Sequence, residues 1–132
     1  MIKCVIPFKL PSLNDYVYLC RESKYKAAKY KKNLEKSIAL FLCFPKIEEP
    51  VTIDFVWYED NMRRDYDNIA FAKKFILDAM VKSGKIQDDN RKFVKGFTDV
   101  FKYSKNAKVE IYIYKFIDSY LFDAKGAKNE SV

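Results

Sequence analysis

Apolar and polar positions alternate most regularly over Val51-Thr52-Ile53-Asp54-Phe55-Val56-Trp57-Tyr58. This pattern puts Val51, Ile53, Phe55 and Trp57 on one face of a predicted strand. An earlier strand spans Ile2 to Leu10 and stops at Pro11 and the turn-forming Ser12 and Asn14. From about Ser23 to Phe44 the spacing becomes helical. The first half of that helix is basic (Lys24, Lys26, Lys29, Lys31, Lys32), and the second carries Leu34, Ile38, Phe41 and Leu42. Pro45 and Pro50 bracket the turn that follows. A second helix is predicted from Asp67 to Ser83, ended by Gly84. Phe97 to Tyr103 and Lys108 to Phe116 read as the two strands of a hairpin joined through Ser104 to Ala107. The order β-α-β-α-β-β predicts a two-layer α+β domain, with a small mixed sheet and helices packed on one face. With no internal repeat or interior linker, residues 1–117 form one domain and residues 118–132 a polar, flexible tail.

The second helix sorts its own side chains. At 100° per residue, Ile69, Ala72, Ile76, Ala79 and Met80 fall within about 100° of one another as the buried stripe. Asp67, Lys74 and Asp78 lie on nearly the opposite side, whereas Lys73 points toward the edge of the stripe. Helical geometry therefore selects Lys74 as the lysine that shares a face with the acids.

Composition narrows the chemistry. The chain has 132 residues, 49% of them apolar, which is enough for one core. No apolar run reaches the roughly 18 residues of a membrane span. The first residues, Met1 to Pro7, lack a signal-peptide core, so a cytoplasmic protein is expected. Three cysteines, Cys4, Cys20 and Cys43, without C-x-x-C spacing argue against a disulfide framework and a thiolate zinc site, and are expected to be reduced and buried. The absence of histidine removes histidine general bases, the usual nucleophile triads and imidazole metal ligands. Any metal would be held by oxygen, which favours Mg²⁺ or Mn²⁺ over zinc.

A net charge of +7, from 25 Lys+Arg against 18 Asp+Glu, points to a polyanionic partner. Ten tyrosines and eleven phenylalanines offer rings for stacking on bases, although most such rings serve the core. Against this charge, Arg63-Arg64-Asp65-Tyr66-Asp67-Asn68 and Asp88-Asp89 set four carboxylates in two tight pairs. Each pair repels itself and a polyanion alike, and a divalent cation would offset both costs. Asp65 and Asp67 also read as turn and helix-cap residues. If the two pairs converge, Asp65, Asp67 and Asp89 could hold one or two Mg²⁺ ions, and Lys74 could neutralise a phosphate.

These residues resemble the RusA family of Holliday-junction resolvases. The likeness rests on Asp65-Tyr66-Asp67-Asn68 at a helix start, Lys73-Lys74, Leu77-Asp78-Ala79-Met80, Gly84 and Asp88-Asp89, together with Pro11-Ser12-Leu13-Asn14 and the lysine-rich helix after it. It covers about residues 5–115. The resemblance implies a homodimeric, Mg²⁺-dependent endodeoxyribonuclease, with Mn²⁺ as a substitute, that makes paired nicks in four-way DNA junctions. It maps Asp65, Asp67 and Asp89 as catalytic and metal-binding, with Asp88 a weaker ligand. The family's lysine lies four residues after the second aspartate, where this chain has Phe71. Counting back from Asp78 gives Lys74, and Lys73 remains the alternative. Lys24, Lys26, Lys29, Lys31, Lys32, Arg63, Arg64, Lys73, Arg91 and Lys92 are the candidate DNA contacts. Two other readings stand beside this one: a non-catalytic nucleic-acid-binding module, and a metal-dependent nuclease for flaps or other branched DNA.

Overall fold

A computed structural model describes residues 1–116. The tail expected over 118–132 lies outside the described residues. The elements run β1 (Ile2–Ile6), α1 (Leu13–Glu22), α2 (Lys24–Ala39), β2 (Val51–Glu59), α3 (Tyr66–Ala70), α4 (Lys73–Lys82), β3 (Val94–Tyr103) and β4 (Lys108–Lys115). The strands make one mixed sheet in the order β1-β4-β2-β3. The expected α+β class, with helices on one face of a small mixed sheet, is therefore the observed one.

β2 and β4 are the two interior strands, and both present apolar rows to the core. Val51, Ile53, Phe55 and Trp57 are buried and alternate with half-buried residues that face the other way. Cys4 and Ile6 of β1 and Val109, Ile111 and Ile113 of β4 extend that row. Ile38 of α2, Ile69 of α3 and Phe75, Ile76, Ala79 and Met80 of α4 belong to the same core. Each large side chain buried in this way stabilises the fold by roughly 1.5–3 kcal/mol.

Several expectations need correction, among them the first strand, which ends at Ile6 rather than Leu10. β3 and β4 are not a hairpin. β2 lies between them, parallel to β3 and antiparallel to β4. The link from Ser104 to Ala107 steps across the end of β2, where the Ser104 N–H donates to the Glu59 carbonyl at 3.0 Å. Two strand spacings are about 9.6 Å, within reach of four linking residues.

The second correction is α1, a helix where Pro11, Ser12 and Asn14 predict only a turn. Its start is a capping box: the Asp15 N–H donates to Ser12 Oγ at 3.1 Å, and the Ser12 N–H reaches the Asp15 carboxylate at 3.4 Å. Ser23, extended at φ −162°, ends α1 and caps α2. α2 then ends at Ala39 rather than Phe44, in the turn where Phe41 N–H donates to the Ile38 carbonyl at 2.9 Å.

Third, the helix predicted from Asp67 to Ser83 is broken in two. Around Phe71 and Ala72 the bonds tighten to i→i+3, as in Ala72 N–H to the Ile69 carbonyl at 3.1 Å and Lys74 N–H to the Phe71 carbonyl at 3.1 Å. Gly84 closes α4 at φ +73°, the left-handed conformation that a C-terminal glycine supplies. Finally, all three cysteines are free, but only Cys4 is buried, and Cys43 is exposed.

Candidate functional site

The turn entering α3 is fixed from behind. Arg64 donates from Nε and Nη2 to the two carboxylate oxygens of Glu59, at 2.9 and 3.0 Å, and from Nη1 to the Leu10 carbonyl at 3.0 Å. Asn68 Oδ1 accepts the Asn14 N–H at 2.9 Å. These bonds join segment 10–14 to segment 64–68. Tyr66 lies flat on Phe101, with ring centroids 4.2 Å apart and planes 14° apart, which ties the first residue of α3 to β3.

Asp65 occupies the N-cap position of α3 in extended conformation, yet its side chain makes no cap bond. Asp67 sits exposed in the first turn, and its carboxylate has no partner among the described residues. Both acids therefore keep their oxygens free.

The second acidic pair behaves differently. The Asp88 carboxylate accepts the Asp89 N–H at 2.7 Å and Asn90 Nδ2 at 3.0 Å, so it shapes its own loop. Asp89 reaches α4, where its Oδ2 lies 3.5 Å from Lys74 Nζ. Lys74 also pairs with Asp78 at 3.1 Å, and Asp78 with Lys31 of α2 at 3.0 Å. Burial pushes the Asp78 carboxyl up, but the bonds from Lys31 and Lys74 outweigh it and hold the group below its ordinary range. The bond to Asp78 likewise raises Lys74 and Lys31 above the ordinary lysine value. The ladder continues from Lys31 to Glu35 at 3.9 Å and from Glu35 to Lys82 at 2.5 Å.

Lys73 turns the other way. It pairs with Asp99 at 2.6 Å, lies over the Phe97 ring at 4.8 Å, and shares Asp99 with Trp57 Nε1, which donates at 2.8 Å. Sequence reasoning missed Asp99. Its signal was an acid in the inward phase of β3, between Phe97 and Phe101.

Among the ten candidate DNA contacts, Arg64 and Lys73 are bound to acids inside the fold, Lys31 pairs with Asp78, and Lys26 pairs with Glu22 at 3.3 Å. Lys24, Lys29, Lys32, Arg63, Arg91 and Lys92 are exposed, with no side-chain partner among the described residues. A pocket of about 230 Å³, lined in part by Met62, Tyr66, Phe101 and Tyr103, opens beside the acidic turn.

The donor type at Asp65, Asp67 and Asp89 suits a hard divalent cation. As arranged, however, no three carboxylates or thiols among the described residues gather closely enough to hold one. No helix among the described residues is long and apolar enough to cross a membrane. No known protein-family model matches the chain, and no curated protein matches it at a significant level.

Proposed function

We propose that the protein is a metal-dependent endodeoxyribonuclease that cuts four-way or other branched DNA as a homodimer. The observation that carries this reading is the Asp89–Lys74 contact. It brings the acidic loop onto α4, the continuation of the helix whose first turn bears Asp67. The joining of segments 10–14 and 64–68, the two regions richest in the family likeness, supports it as well. Asp65, Asp67 and Asp89 are the residues that would hold Mg²⁺, once drawn closer than they stand here. Such an ion would supply an activated water and neutralise charge on the scissile phosphate. Lys74, held by Asp78, offers a point charge to that phosphate, and the unpaired cations meet the flanking backbone. A closed two-fold dimer provides two equivalent sites for opposed cuts.

The test is a panel of four-way junction, flap, linear duplex and single strand, each with and without Mg²⁺. Junction and flap should be cut only with the ion. Asp67→Asn and Asp89→Asn should abolish cleavage and preserve binding, and Lys74→Ala should lower turnover far more than Lys73→Ala. Cleavage retained by both aspartate variants would overturn the assignment. A second reading is a non-catalytic nucleic-acid-binding module, in which Asp65 is the N-cap residue of α3 and Asp88 shapes its own loop. Tight junction binding without cleavage under any metal would select it.

A further inference from the structure

A groove of about 660 Å³ runs between α2 and α4. Lys32 and Lys36 stand one helical turn apart in its lining, exposed and with no partner among the described residues. Like charges at this spacing repel each other, and an anion between them relieves the repulsion. Lys82, on the α4 side, is 62% exposed. Among the described residues the single acid lining the groove is Glu35, which is only 4% exposed and whose Oε1 is taken by Lys82 at 2.5 Å. Its Oε2 is buried without a hydrogen-bond partner. The negative charge thus lies beneath the surface, and the charge presented to solvent is positive.

Lys32 and Lys36 also line an adjoining groove of about 370 Å³, with Lys29 and the ring of Tyr25. Tyr25 is 76% exposed. Along α2, Lys29 and Lys36 are about 10.5 Å apart, which spans about three nucleotide steps of one strand. At its other end, the first groove meets the ladder through Lys31 and Asp78 that leads to Lys74 and Asp89. Concave, single-sign surfaces of this kind focus field and gather polyanions.

We propose that these two grooves form one track for the sugar–phosphate backbone of DNA, contacted by Lys29, Lys32, Lys36 and Lys82, and leading toward the Lys74–Asp89 end of α4. The proposal rests on the DNA-cutting reading for the identity of the polyanion. Lys36 and Lys82 thereby join the binding surface, while Arg64 and Lys73, largely buried on their acid partners, leave it. Glu35 beneath the track is a buried negative charge that opposes the polyanion.

The experiment measures the affinity of the full chain for a four-way junction across a salt series, with Lys36→Ala, Lys82→Ala, Glu35→Gln and the loop control Lys105→Ala. Each track lysine removed should weaken binding roughly eightfold at 0.1 M salt and reduce the salt slope by about one. Lys105→Ala should change neither. Glu35→Gln removes the only acid that the described residues place in the first groove while keeping its shape, so affinity should rise. A merely structural Glu35 would leave affinity unchanged or lower it. Equal effects of Lys36→Ala and Lys105→Ala, or weaker binding by folded Glu35→Gln, would overturn the track. The nuclease reading fails separately, by junction binding without metal-dependent cleavage.

Discussion

Replacing Arg64 with methionine separates two roles that the same residue could play. As a phosphate contact, it would matter for DNA affinity and little for stability. Its guanidinium instead sits against Glu59, with side-chain exposures of 14% and 12%, and makes three hydrogen bonds in all. Charge-assisted bonds of this kind contribute about 1.5–3 kcal/mol each before desolvation is counted. Removing one partner of a buried pair costs about 3–5 kcal/mol, because the other charge is left stranded. The residual exposure places Arg64→Met near the lower end, at about 3 kcal/mol, which corresponds to a melting-point loss on the order of 10 °C for a domain of this size. Urea titration at neutral pH, with an unchanged slope, measures the loss. Glu59→Leu combined with Arg64→Met should recover part of it, since the double variant strands no charge. A loss below about 1 kcal/mol, together with weaker DNA binding, would refute the staple and return Arg64 to the DNA surface.

Two further outcomes follow from the same electrostatics. Asp78 carries a lowered carboxyl value, so its two ion pairs stabilise the fold at pH values above its unfolded value near 3.8. That stability is lost as the pH falls through the lower folded value, and Asp78→Asn should cost about 1–2 kcal/mol at pH 7 and almost nothing in strong acid. An equal loss in denaturant titrations at both pH values would sink the account. Among the thiols, burial foremost, with the Cys43 sulfur adding to it, pushes Cys4 up to about 11. A neutral-pH thiol reagent should therefore label exposed Cys43 first and Cys4 only after unfolding, as mass spectrometry of early and late samples would read.

The alternation over Val51–Trp57 made the sheet's central strand legible, because a two-residue period survives any choice of neighbours. Strand pairing was not legible. Phe97–Tyr103 and Lys108–Phe116 are close in sequence, but the apolar row of β2 outcompeted a local hairpin for the position beside β4. The Ser12/Asp15 box that starts α1 was present as spacing and was read only as a turn. The difference between Lys73 and Lys74 was readable from helix phase, since both lie within α4. The relation of Asp67 to Lys74 was less secure, because the tightened turn at Phe71 and Ala72 interrupts the 100° rule between them. Glu35 and Lys82 meet across two helices, and no spacing along the chain encodes that distance.

The two acidic pairs looked equivalent as sequence, and each seemed to require a cation. Their surroundings separate them. Asp88 is hydrogen-bonded by neutral donors of its own loop, and Asp89 faces the ammonium of Lys74, which it shares with Asp78, so the second pair is partly compensated from within the chain. Asp65 and Asp67 have no such partner, and nearby Arg64 is bound to Glu59. Of the two pairs, Asp65 and Asp67 are therefore the one whose repulsion no described residue offsets, and a divalent ion would relieve it most. On the nuclease reading, Asp89 keeps Lys74 on its Oδ2 and has its other oxygen to offer a cation, while Asp78 holds the same ammonium at 3.1 Å. The lysine charge is thus fixed between two carboxylates at the start of α4, where a phosphate would meet it.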